Sequence, residues 1–242
     1  MRGLSASLIV GVWERGQSLD AVERALLLLS VACPGVQSEE LAEMSIGRRD
    51  AHLFALRRQI FAGDLDGFAE CPKCAAGVEY RLPPEALPQS AAEQDEPFEF
   101  SHDEFSLRLR MPNSGDMAAA RDCAGMEEAR RSLAQRCVLE ARRAGAVLAA
   151  EELPEPVMAR LSEFLDDAAP SSELLIDLVC PQCGHKWHVV FDITSYLWTE
   201  ISALAKRFLR EVHILARAYG WREADILSMS AKRREYYLEM AV

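Results

Sequence analysis

Apolar positions along the chain switch repeatedly between the helical and the extended period, and each switch marks a change of element. Leu19, Val22, Leu26 and Leu29 recur at helical spacing behind Ser18, a candidate N-cap, and Pro34-Gly35 stops the run. Ser38 opens a short second helix carrying Leu41 and Met44. Ser45 opens a third, in which Leu53, Leu56, Ile60 and Phe61 point inward, Arg57 and Arg58 point outward, and Gly63 marks the end. From Phe68 to Leu82 the pattern becomes strand, Cys71-Pro-Lys-Cys74, strand. Pro83, Pro84 and Pro88 begin an irregular connection. Phe98 to Phe100 and Phe105 to Met111 then alternate apolar and polar side chains, which predicts a half-buried hairpin turning through Ser101 to Glu104.

The spacing next predicts helix from 111 to about 145, broken near Gly125, and another helix over 154–165. Leu174 to Cys180 enters a second turn, Cys180-Pro-Gln-Cys183, as a strand, and Lys186 to Asp192 leaves it as another. Asp192 is placed to cap a helix reaching Tyr219, with Gly220 as its stop. Leu197, Ile201, Leu204, Phe208, Val212, Leu215 and Tyr219 form its apolar stripe, while Glu200, Lys206, Arg210 and Arg217 fall away from it. Short helices around 223–229 and from 231 onward complete the chain.

The two strand–CPxC–strand segments form a weak internal repeat. A Cys-x-x-Cys turn brings two thiolates to one metal ion, and two such turns make the closed tetrahedral four-sulfur site that structural zinc prefers. Cys71, Cys74, Cys180 and Cys183 are therefore the expected ligands of one structural Zn2+. Loop closure costs grow only logarithmically with length, so the 105 residues between Cys74 and Cys180 are no obstacle. Three other readings compete. Cys180 and Cys183 could bind locally with His185 and His188, although in an alternating strand the two histidines face opposite sides. An iron centre would use the same four thiolates. Thioredoxin-like redox chemistry would need the pair at a strand-to-helix junction, and both pairs lie between strands. The fold class that follows is α+β: mainly helical, with the two knuckles joined in one small zinc-ribbon-like β module. The expected parts are a helical region over 1–66, the knuckle module from 67–82 and 172–192, an insertion over 83–171 with a β-hairpin and helices, and a helical region over 193–242.

Seven cysteines, an odd number, argue against a framework of paired disulfides and for a reducing compartment. The net charge of −11 argues against a protein that coats nucleic acid. The charge is uneven: seven carboxylates and no Lys or Arg lie between Leu82 and Glu104, whereas the last 42 residues hold eight Lys/Arg against five Asp/Glu. The most apolar run, Ala25 to Ala32, is far shorter than the roughly 20 residues a bilayer needs. Leu4 to Trp13 imitates a signal peptide only faintly, because Glu14, Arg15 and Asp20 follow at once with no cleavage site.

No catalytic set emerges. Glu211-Val-His213 lacks the second histidine of a zinc-protease helix, His52 and His102 stand alone, and no glycine-rich phosphate loop is present. A closed four-sulfur site leaves no position for substrate, so no enzyme activity and no small-molecule substrate are expected. Tyr219, Trp221, Arg233 and Arg234 combine aromatics with arginine, the side chains that interfaces favour, and are candidate contact residues. The competing reading is that Trp221 and Ile226 pack the last helix onto the core.

Several stretches together carry a family likeness. They are Ser45-Ile-Gly-Arg-Arg-Asp-Ala-His-Leu with Leu56-Arg-Arg-Gln-Ile-Phe-Ala-Gly, the two CPxC turns, and Glu211-Val-His-Ile-Leu-Ala-Arg-Ala-Tyr-Gly-Trp-Arg-Glu-Ala-Asp-Ile-Leu with Arg233-Arg-Glu-Tyr-Tyr-Leu. The chain resembles the T-even-type phage baseplate protein family, found in contractile phages and in phage-tail-like injection systems of bacteria. The resemblance implies a non-enzymatic part in building a baseplate or central hub, with other baseplate, hub or tail proteins as partners. It implies a cytoplasmic location during assembly, or a place in the phage-like particle. Not every relative need carry both cysteine pairs, so the zinc expectation stands on this chain's own residues. A zinc-ribbon nucleic-acid-binding regulator is the alternative, favoured by Lys73, Arg81 and Lys186 near the knuckles and disfavoured by the charge.

Overall fold

A computed structural model describes residues 3–87, 96–168 and 174–241. Pro88, part of the acidic stretch that follows it, and the start of the second knuckle segment at 172–173 lie outside the described residues. The fold is mixed, with ten α-helices among the described residues and three small antiparallel sheets.

The helical half is built around α8 (Ile193–Tyr219), whose N-terminus is capped by the Asp192 carboxylate accepting from the Thr194 and Ser195 N–H groups at 2.9 and 3.2 Å. Gly220 ends it with φ +67°, a left-handed conformation that only glycine adopts at little cost. Against α8 pack α1 (Ala6–Arg15), α2 (Ala21–Ala32) and α4 (Ile46–Ile60), with α3 (Ser38–Glu43) alongside α2. Ile9, Val12, Leu28, Leu29, Leu53, Leu56, Leu197, Ile201 and Ala205 are almost wholly withdrawn from solvent in this core. Most of the apolar segment Leu4 to Trp13 lies in α1, whose Ile9, Val10 and Val12 are buried in this core. The start of α2 falls at Asp20 rather than Ser18, because Asp20 and Glu23 form a reciprocal capping box with two 2.9 Å bonds.

The second layer departs furthest from the sequence reading. A four-stranded sheet runs in the order β3 (Phe98–His102), β4 (Phe105–Leu109), β5 (Val138–Arg143), β6 (Ala146–Leu148). The long helix expected from 111 to 145 is in fact α5 (Ser114–Arg121), α6 (Met126–Cys137) and then strand β5. Leu107 pairs with Ala141 and Arg143 with Ala146, and the two-residue loop Ala144-Gly145 has positive φ at both positions, the geometry tight hairpins favour. Pairing with β4 buries Ala141, and that tertiary gain overrides the local helical spacing. Phe100, Leu107 and Leu109 cover a second core with Ala134 and Cys137 of α6 and with Val157, Met158 and Leu161 of α7 (Glu155–Ala168).

This layer is fastened to the first through residues just after β4. The Ile46 N–H donates to the Pro112 carbonyl at 2.9 Å, and Ser45 bridges Asn113. Asp116, fully buried, then draws in Arg110 through two bonds of 2.5 and 3.0 Å and Arg136 at 2.9 Å. Burial pushes the Asp116 carboxyl up, but the two guanidiniums and the Asn113 N–H outweigh it and hold the group below the usual carboxylate range.

Candidate metal centre

Two hairpins carry the cysteines. Strands β1 (Leu65–Glu70) and β2 (Gly77–Leu82) pair from Leu65↔Leu82 to Glu70↔Gly77; β7 (Leu174–Val179) and β8 (Lys186–Phe191) pair from Leu174↔Phe191 to Val179↔Lys186. The units match residue for residue, with Leu65, Cys71, Ala75 and Leu82 corresponding to Leu174, Cys180, Gly184 and Phe191. Their turns are also hydrogen-bonded alike. The Cys71 N–H donates to Ala76 O at 2.9 Å and the Cys180 N–H to His185 O at 2.8 Å, while Ala75 and Gly184 each donate back to the first cysteine at 2.9 Å. Both positions after the second cysteine are left-handed, at φ +56° for Ala75 and +68° for Gly184. The weak repeat in sequence is a close repeat in backbone.

The hairpins belong to separate two-stranded sheets and meet through their turns. Cys71 Sγ lies 3.7 Å from Cys183 Sγ, Cys74 Sγ lies 3.5 Å from Cys180 Sγ, and all four sulfurs fall within 4.8 Å of one another. A tetrahedral zinc with Zn–S bonds of about 2.3 Å spaces its sulfurs by about 3.8 Å. A disulfide, at about 2.05 Å, would need far closer approach. The donor set and its spacing fit a single four-coordinate metal ion. Cys71 and Cys180 are buried at 2% and 1% exposure, whereas Cys74 and Cys183 face solvent. Trp187 packs on the buried side against Cys71, Ala76 and Cys180.

The thiols are already differentiated electrostatically. Cys180 accepts from the Cys183 and Gln182 backbone N–H groups, and these hold its thiol down to about 7. The Ala76 N–H draws Cys74 the same way, but the crowding Cys183, Cys180 and Cys71 sulfurs prevail and push it up to about 12. One thiolate forms readily and makes the next costly; a divalent cation at the centre would remove that cost.

The local alternative is not assembled. His185 stacks on Trp187 at 6.1 Å and 9°, His188 Nδ1 pairs with Asp177 across the hairpin, and neither histidine belongs to the sulfur cluster.

The knuckles are carried by α4 and α8, and the contact between those helices rests on a residue the sequence reading placed outside. Arg57 is 2% exposed. Its guanidinium grips both oxygens of Glu200 on α8 at 2.9 Å and donates at 3.1 Å to the Gly63 and Asp64 carbonyls, which lead into β1. Glu200, also read as outward, turns in to meet it. Tyr196 of α8 adds a bond from its hydroxyl to Asp66 O at 3.2 Å, and Phe54 stacks on Phe191 at 6.0 Å. The first knuckle therefore hangs from the end of α4, and the second runs directly into α8. The signal for Arg57 in sequence was faint: one arginine at an inward helical phase beside Leu53 and Leu56.

The four candidate contact residues divide. Tyr219 and Trp221 stack at 4.5 Å, Trp221 meets Tyr237 edge-on at 4.8 Å, and Trp221 is half-buried in this aromatic knot. Arg233 is exposed and lies over the Tyr237 ring. Arg234 is not a surface residue: it is 4% exposed, bound to Glu211 at 2.9 Å and Met229 O at 2.6 Å, and it fixes α10 (Ala231–Met240) to α8. Arg81, one of the cations near the knuckles, is engaged by Asp66 at 2.6 Å.

No protein-family model, curated protein or solved structure matches this chain. Among the described residues no helix is long and apolar enough to cross a membrane.

Proposed function

We propose that this chain is a non-enzymatic structural or assembly protein of a contractile-tail baseplate or hub, clamped by one structural zinc at Cys71, Cys74, Cys180 and Cys183. The zinc half is supported by one observation above all: four sulfurs from two remote hairpins lie within 4.8 Å of one another, with cross-hairpin separations of 3.5 and 3.7 Å beside the roughly 3.8 Å of a tetrahedral zinc. Four protein thiolates fill such a site and leave no position for water or substrate, which favours a structural over a catalytic ion. Zinc is favoured over iron because a closed tetrahedral thiolate site is its commonest structural use. The baseplate half is supported by the likeness of the 45–63, cysteine and 211–238 segments to that family. The nucleic-acid alternative keeps only Lys73 and Lys186 near the knuckles once Arg81 is paired with Asp66.

Elemental analysis of the purified protein tests the first half: one zinc per chain is expected, lost in Cys71→Ser and Cys180→Ser alike. Metal retained in Cys71→Ser would move the site to the second knuckle alone. Co-purification with sheath, tube or baseplate proteins of the same cell tests the second half. A salt-dependent gel shift at sub-micromolar protein, without such partners, would replace it by the nucleic-acid reading.

A further inference from the structure

Helix α8 keeps its acids inside and its bases outside. Its two carboxylates, Glu200 and Glu211, are both committed to buried arginines, Arg57 and Arg234. Exposed Arg207 also pairs with Glu211 at 3.5 Å, and beyond it the solvent side carries a straight line of Lys206, Arg210, His213 and Arg217, all exposed. The line spans about 16 Å at 1.5 Å per residue. Among the described residues no side-chain hydrogen bond or ion pair restrains any of the four. Ile214, 40% exposed, sits beside them. This is a cationic ridge with an apolar step on a protein of net charge −11.

We propose that this outer face of α8 is the docking surface for an acidic amphipathic helix of a partner protein. It names the partner chemistry for the assembly reading above and rests on the protein-contact half of that reading, not on the ion. Charge complementarity selects the occupant. Three cations and a histidine following one side of a helix match carboxylates at the same repeat on a second helix, and Ile214 gives that helix an apolar residue to cover. Duplex nucleic acid fits less well. It brings one negative charge per about 1.7 Å against a chain already strongly negative, and none of the four ridge residues is a Phe, Tyr or Trp on which a base could stack.

The test is fluorescence anisotropy with the intact, zinc-loaded 242-residue chain. The probe is a labelled helical peptide of about 20 residues with Leu in its seam and Glu on its flanks. Binding that weakens as salt is raised is expected, falling about tenfold or more in Lys206→Glu/Arg210→Glu/Arg217→Glu. The triple Gln variant guards against misfolding of the triple Glu variant and is expected to lose a smaller part. Arg142→Glu, which changes an exposed arginine on β5, is expected to bind as the parent does. Absence of peptide binding, unchanged affinity in both triple variants, an equal loss in Arg142→Glu, or tighter binding of duplex DNA or phosphatidylglycerol vesicles than of the peptide would each overturn the proposal. Zinc content and thermal midpoint, read on the same samples, separate failure of this surface from failure of the cysteine site.

Discussion

Removal of the Glu200 carboxylate isolates the device that aligns the two knuckles. In the parent protein the Arg57 guanidinium, 2% exposed, makes two bonds to Glu200 and one each to Gly63 O and Asp64 O. Glu200→Ala leaves a buried positive charge with two neutral carbonyls. Breaking a fully buried pair costs about 3–5 kcal/mol. Here the Glu200 side chain keeps 21% exposure, so water can reach part of the vacated space, and a cost of about 2–3 kcal/mol follows. For a chain of this size each kcal/mol moves the midpoint by about 2–4 °C, giving a fall of about 5–10 °C in thermal denaturation. Arg57→Met/Glu200→Leu, which removes both charges and keeps the volume, should recover most of that loss. A Glu200→Ala midpoint within about 1 °C of the parent, or a double variant as unstable as the single, would refute the assignment of Arg57 as a buried clamp.

Three further outcomes follow from named contacts. Gly184→Ala places a side chain at φ +68° and should cost roughly 1–2 kcal/mol, whereas Ala75→Gly at φ +56° should be neutral or mildly stabilising; denaturation of the zinc-loaded variants that shows equal losses would break the equivalence of the two turns. Asp116 has a folded pKa below its unfolded value, so its contribution is present above about pH 4 and is lost as pH falls through the folded value; Asp116→Asn should be less stable at pH 7, with the gap to the parent closing in acid, and a pH-independent gap would contradict this. Because Cys180 ionises near 7 while Cys74 stays protonated to about 12 without an ion, zinc uptake at neutral pH should release protons and its affinity should rise with pH; a calorimetric titration in buffers of different ionisation enthalpy showing no proton release would oppose thiolate ligation.

The amino-acid sequence by itself determined the elements that rest on local chemistry. The cap at Asp192, the stop at Gly220 and the long apolar stripe between them are side-chain and backbone preferences of neighbouring residues, and α8 forms where they place it. The CPxC turns likewise declare themselves, since proline and two cysteines at fixed spacing admit few conformations. Only the tertiary structure decided matters that depend on residues far apart in the chain. Val138–Arg143 has helical spacing yet is a strand, because β4 offers it a ladder and a buried face for Ala141. Arg57 and Arg234 look like surface cations, but a carboxylate on α8 and carbonyls at the helix ends give each guanidinium the charge partner and hydrogen bonds that let it be buried. The approach of Cys71 to Cys183 belongs to the same class. Spacing could propose four ligands, but the packing of α4 against α8 sets 3.7 Å between sulfurs 112 residues apart.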